Sequence, residues 1–67
     1  MSPLVLTLRR AIARPEDLDR IRDIIVAHPG KRPVKLRVIG DGRTVWIIPA
    51  EELRVSKDAE ALLKDWL

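Results

Sequence analysis

The stretch VKLRVIGDGRTVWII (residues 34–48) contains two strand-like runs on either side of a turn. In the first run, Val34 to Ile39, apolar side chains alternate with a lysine and an arginine, which is the period of a strand with one buried face. Gly40-Asp41-Gly42 follows, and an Asp-Gly pair is a strong signal for a tight hairpin turn. The second run, Arg43 to Ile48, is apolar on both faces and ends at Pro49. A β-hairpin is therefore predicted in the middle of the chain.

Upstream of the hairpin the spacing predicts a helix that begins at Pro15, since proline is favoured at the first helical position. Its apolar stripe, at helical spacing, consists of Leu18, Ile21, Ile25 and His28, flanked by Ile24. Pro29 cannot continue the helix, and Gly30 is expected to provide a left-handed turn after it.

The two ends of the chain supply the remaining elements. Leu4 to Leu8 alternates as a first strand, and Leu53 to Val55 is a possible short fourth strand. Ser56 is expected to cap a last helix from Lys57 to about Leu67. The apolar stripe of that helix is Ala59, Leu62, Leu63 and Trp66.

This order, β-α-β-β-(β)-α, predicts an α+β fold. A right-handed crossover would make the first two strands parallel, and the hairpin adds an antiparallel third strand. We expect residues 1–67 to form a single small interaction domain, a mixed sheet with two helices on one face.

Composition limits the classes of function. The chain has no cysteine, a formal net charge of +3 and an apolar content of 46%. Cysteine frameworks are therefore excluded, and we find no run of roughly 20 apolar residues and no signal-peptide pattern at the start. We expect a cytoplasmic protein without a membrane span.

No catalytic or cofactor motif is recognisable. His28 is the only histidine, and its place before Pro29-Gly30 suits the end of a helix better than a general base. The helical aspartates are interspersed with arginines, and Gly40-Asp41-Gly42 precedes a strand, whereas phosphate loops lead into helices. We expect no enzyme activity, no cofactor and no metal site.

Five cations lie close together in the sequence: Lys31, Arg32, Lys35, Arg37 and Arg43. Outward cations can simply protect an edge strand from aggregation. Alternatively, they could bind an acidic protein partner or nucleic acid. Lys35, Arg37 and Arg43 could share one sheet face or edge, and Trp46 lies on the open face if Val45 and Ile47 point to the helices. Trp66, on the stripe of the last helix, is by default a core residue.

The runs Ile25-Val26-Ala27-His28-Pro29-Gly30 and Pro33 to Val38 resemble the C-terminal domain of the bacterial DNA polymerase III alpha subunit. In that family an amphipathic helix ends in a His-Pro-Gly turn before a Pro-Val-containing strand and a hairpin. Leu53-Arg54-Val55-Ser56 and Ala61 to Leu67 resemble the family's short strand and final leucine-rich helix. The resemblance implies a non-catalytic domain that docks the tau subunit of the clamp loader.

We therefore expect a protein-interaction domain of bacterial DNA replication. The predicted partner-binding residues are Trp46, Lys35, Arg37, Arg43, Trp66 and Leu67. A nucleic-acid-binding accessory module and a self-associating scaffold domain, a homo-oligomer, remain the alternatives.

Overall fold

The computed structural model describes residues 2–67, and its elements follow the predicted order. They are β1 (Leu4–Arg9), α1 (Pro15–Ala27), β2 (Pro29–Gly40), β3 (Arg43–Ile47), β4 (Arg54–Val55), α2 (Lys57–Leu62) and a 3-10 turn (Lys64–Trp66). The four strands form one small mixed sheet, so the predicted α+β class is confirmed.

β2 is the central strand and pairs with all the others. β1 runs parallel to it, from the pair Leu4–Val34 to the pair Arg9–Ile39. β3 runs antiparallel to its second half, and β4 pairs antiparallel with its first half through an irregular, bulged register. The Val34 N–H donates to the Leu53 carbonyl at 2.9 Å, which ties the segment before β4 to the middle of β2.

The β2–β3 turn has the backbone geometry that its sequence predicts. Asp41 (φ 52°) and Gly42 (φ 71°) both lie in the left-handed region, as a type I′ hairpin requires. The resulting register places Gly40 opposite Arg43 and Arg37 opposite Trp46.

The core lies between one sheet face and the two helices. Alternate residues of β1 and β2 point into it, together with residues from both helices and the chain end. The buried set is Leu4, Leu6, Leu8, Ile21, Ile25, Val34, Leu36, Val55, Ala59, Leu63 and Trp66. Both helices therefore cover the same face of the sheet, as predicted.

The α1 stripe and the role of Gly30 differ from the prediction. Leu18 is 46% exposed, and of the predicted stripe only Ile21 and Ile25 are buried. Gly30 has no left-handed backbone, because α1 ends at Ala27, His28 is its C-cap and β2 begins at once with Pro29. Gly30 is needed for space: a Cβ atom there would lie 2.3 Å from the Ser56 nitrogen.

The last helix is shorter than predicted. α2 ends at Leu62, and the chain continues as a 3-10 turn that brings Trp66 into the core. Ser56 occupies the N-cap position, but its hydroxyl makes no hydrogen bond to the helix. Instead its N–H donates to the His28 carbonyl at 2.9 Å and joins the end of α1 to the start of α2.

Candidate interaction surface

The sheet face opposite the helices carries cations and no carboxylate. Side chains alternate along strands, so the residues that lie between the buried positions point to this side. It is formed by Val5, Thr7 and Arg9 of β1, Lys35, Arg37 and Ile39 of β2, and Thr44 and Trp46 of β3. We call these eight residues the open sheet face. Three of them are cationic and none is acidic.

Arg37 is at the centre of this face and is held from both sides. Its Nε donates to Thr7 Oγ1 at 2.8 Å, and its guanidinium carbon lies 5.7 Å from the centre of the Trp46 ring. The sheet register sets this arrangement, because Thr7 and Trp46 are the residues directly opposite Arg37 on β1 and β3. Arg37 therefore presents its charge at a fixed position beside an aromatic ring.

The cations of the open sheet face have no carboxylate partner among residues 2–67. Arg9 and Lys35 are exposed, and neither takes part in an ion pair there. Arg37 is half-buried, and within the described chain only its Nε donates a hydrogen bond. Trp46 is 48% exposed, and Ile48, which follows β3, is 90% exposed. The face thus combines accessible apolar area with three cations that form no ion pair within residues 2–67, and the carboxylates of Asp17 and Asp65 line the adjoining cleft with Arg9 and Arg37.

The five-cation cluster of the sequence is dispersed by the fold. Lys35 and Arg37 share the open sheet face, as predicted. Arg43 does not, because the two-residue turn places it in phase with Val45 on the helix side. Arg32 is engaged at the other end of β2, where its guanidinium forms an ion pair with the half-buried Glu60. Of the two arrangements considered, a shared face or a shared edge, the register therefore excludes a face shared by Arg43 with Lys35 and Arg37.

Trp66 and Leu67 lie beside the open sheet face, around the outer edge of β1. Trp66 is only 8% exposed and is covered by the guanidinium of Arg20, 5.6 Å from the ring centre. Leu67 is 58% exposed. A cleft of about 340 Å³ is lined by these two residues together with Arg37. Trp66 thus acts as a core residue, while Leu67 is accessible to a partner.

Thr7 and Arg9 were missed by sequence reasoning. Both extend the open sheet face, and Thr7 orients Arg37. The signal was present, because the alternation of Leu4, Leu6 and Leu8 puts Thr7 and Arg9 on the opposite side of the strand.

The backbone of His28 connects the end of α1 to the start of α2 through hydrogen bonds. Its N–H donates to the Ile24 carbonyl at 3.0 Å, its carbonyl accepts from Ser56, and its side chain is half-buried. Among residues 2–67 no three His, Asp or Glu side chains come together as a metal site would require. In the same part of the chain, neither helix has the length and apolar character needed to span a membrane.

Comparison of the chain with protein-family models found no matching family, and comparison with curated proteins found no matching relative. The resemblance to the polymerase III alpha subunit therefore rests on the residues quoted above.

Proposed function

We propose that this chain is a non-catalytic protein-interaction domain whose open sheet face binds an acidic, partly apolar segment of another protein. The observation that carries the proposal is the composition of this face: it has three cations, Arg9, Lys35 and Arg37, an exposed tryptophan opposite Arg37, and no carboxylate among its eight residues. Such a face attracts a segment of opposite charge and disfavours a basic one.

Trp46 supplies the anchor for such a segment. Tryptophan and arginine are enriched among the residues that dominate binding energy, especially where they are pre-organised. Trp46 and Arg37 already contact one another, so little side-chain entropy remains to be lost when a partner covers them. Both the charged and the apolar contacts of the proposed partner would centre on this pair.

The resemblance to the polymerase III alpha C-terminal domain supports a specific partner, the tau subunit of the bacterial clamp loader. In this proposal the domain works in the cytoplasm, where it couples DNA synthesis to the rest of the replication machinery. It holds the partner and takes no part in the chemistry of synthesis.

The experiment is an amide NMR titration of the labelled domain with the C-terminal region of a tau subunit. We expect the largest shifts at Trp46, Arg37 and Lys35. The variants Trp46→Ala and Arg37→Glu should each weaken binding by at least about tenfold, the usual size of a hot-spot loss. Shifts located on the helices would contradict the assignment of the site.

Matched controls separate site effects from general ones. Lys57→Glu makes the same charge change as Arg37→Glu at an exposed position on α2, and Val26→Ala removes apolar area from the exposed side of α1. Both controls should leave the affinity within about twofold of wild type, since exposed positions outside a hot spot contribute little. Equal losses in controls and site variants would indicate a nonspecific charge effect.

Nucleic acid is the second candidate, because the exposed ring of Trp46 lies among cations and could stack on a base. Three phosphate contacts, from Arg9, Lys35 and Arg37, would give a slope of about −2 in log affinity against log salt for a single strand. The Arg37 guanidinium already lies over the Trp46 ring, where a base would have to stack, and this favours the protein partner. Tight binding of an oligothymidine with that slope, lost in Trp46→Ala, would favour nucleic acid instead.

A further inference from the structure

β3 has a free outer edge. The Ile39 carbonyl accepts from the Arg10 N–H at 2.9 Å, so the backbone polar groups of Ile39 point toward β1. Its partner across the hairpin, Thr44, therefore directs its own N–H and C=O away from β2. The same holds for Trp46, two residues further on. Within residues 2–67 these four backbone groups have no hydrogen-bond partner.

This edge lacks the features that usually prevent strand pairing. Edge strands are normally blocked by proline, by central charges or by a bulge. β3 has a single charge, Arg43 at its first position, and a regular register with β2. Its side chains are apolar on both faces of the sheet: Val45 is 57% exposed on the helix side and Trp46 is 48% exposed on the other.

The sequence of β3 is complementary to itself. If two copies meet antiparallel with the two-fold axis at Val45, Arg43 faces Ile47 of the second copy, and Thr44 faces its Trp46. All five residues of each strand are then paired, and no like charges face one another. Thr44 and Trp46 would exchange four backbone hydrogen bonds between the copies. A shift of two residues in either direction leaves only three residues of each strand paired.

From these observations we infer that β3 pairs with β3 of a second copy of this chain, joining two sheets into one continuous sheet of the order β1-β2-β3-β3-β2-β1. The pairing covers Val45 with Val45 of the second copy and places each Trp46 beside a Thr44. It also joins the two open sheet faces into one surface with two tryptophans and six cations.

The inferred interface is small, because it consists of two five-residue strands and the side chains beside them. Interfaces at the low end of the size range are weak and reversible. We therefore expect a monomer–dimer equilibrium that responds to protein concentration, with the same surface used by both copies as in other two-fold dimers.

Sedimentation equilibrium of the whole chain tests the inference. The average mass should rise from one chain toward two between about 10 μM and about 1 mM, the range in which weak interfaces dissociate. Val45→Lys and Val45→Glu each place like charges opposite one another on the two-fold axis and should each abolish the dimer. An equimolar mixture of the two variants should restore it, because the introduced lysine and glutamate then face one another.

The control is Val26→Lys, which makes the same change at a 73% exposed position on α1 and should leave the dimer intact. Circular dichroism verifies that each variant is folded. A mass of one chain at all concentrations would overturn the inference, and so would a dimer that survives Val45→Lys. Failure of the mixture to associate would overturn the register.

Amide hydrogen exchange of the unmodified chain gives a test that needs no variant. Within residues 2–67 of a single copy the Thr44 and Trp46 N–H groups have no partner, so their exchange should slow by at least about tenfold as the concentration rises into the dimer range. The Val45 N–H, which faces β2, should change little. Dimerisation without slowing at Thr44 and Trp46 would place the contact elsewhere, such as on the apolar groove formed by Leu18, Val26 and Leu53.

Discussion

Gly30 of β2 passes so close to Ser56 that a Cβ atom on the glycine would lie 2.3 Å from the serine nitrogen and 2.4 Å from its Cα. Both atoms belong to the backbone, which the Ser56–His28 hydrogen bond holds in place. The start of β2, the end of β4 and the start of α2 therefore meet at one point that allows no side chain at residue 30.

Gly30→Ala should lower the free energy of unfolding by about 1–3 kcal/mol, because the β4–α2 junction must move to admit a methyl group. A domain of this size has a total stability of only about 3–10 kcal/mol, so urea denaturation should show a clear shift in midpoint.

Gly42 provides the comparison, since no atom of residues 2–67 lies within 4 Å of its Cβ position and only its φ of 71° is demanding. Asparagine tolerates that backbone, so Gly42→Asn should cost little, whereas Gly30→Asn should be at least as harmful as the alanine. Similar losses at both positions would contradict the steric explanation.

Gly30 and the Asp41-Gly42 turn show which structural roles of glycine can be predicted from the sequence and which cannot. The hairpin turn at Asp41-Gly42 depends on local backbone preferences and was predicted correctly. The role of Gly30 depends on Ser56, which is 26 positions away in the sequence. A glycine after a helix normally suggests a left-handed cap, and only the packing of distant segments shows that space is the requirement here.

The adjacent residues Leu62 and Leu63 should differ in their contribution to stability. Leu63 is fully buried, while Leu62 is 50% exposed at the last position of α2. Leu63→Ala should cost about 2–5 kcal/mol and Leu62→Ala less than about 1 kcal/mol, because only the first leaves a cavity. Thermal melts followed by circular dichroism measure the difference, and equal losses would contradict the placement of the chain end.

The helical period could not separate these two leucines. It assigned both to one apolar stripe, since a continuous helix to Leu67 was expected. The change to a 3-10 turn after Leu62 alters the period and turns Trp66 into the core. In the same way, the candidate site was predicted as far as strand alternation reaches, which covers Lys35, Arg37 and Trp46. The prediction did not extend to Arg43, because the length of the turn decides on which face of the sheet Arg43 lies.

The two tryptophans should report on separate environments. Trp46→Phe leaves the buried Trp66 as the only tryptophan, and Trp66→Phe leaves Trp46, which is 48% exposed. The chain that retains Trp46 should emit at longer wavelength and be quenched by acrylamide several-fold more strongly, because water and quencher reach the exposed ring. Equal quenching of the two variants would show that Trp46 is covered, as an association through β3 would cause at high concentration. The measurement should therefore be made at low micromolar concentration, where the chain is expected to be monomeric.

Arg37 and Trp46 should be energetically coupled, since they face one another across β2 and β3 with the guanidinium beside the ring. A double-mutant cycle with Arg37→Met and Trp46→Leu should give a coupling of about 0.5–1 kcal/mol, the size of a cation–π contact at an accessible site.

The matched cycle replaces Arg37→Met by Lys35→Met on the same face. Among residues 2–67 the Trp46 ring has a cation–π contact with Arg37 and none with Lys35, so this coupling should lie within about 0.3 kcal/mol of zero. If both cycles gave the same coupling, the contact would be a general effect of charge near the ring. A coupling for Arg37 alone would show that the central cation of the open sheet face is fixed before any partner arrives, which is the condition for Arg37 to add affinity without a large ordering cost.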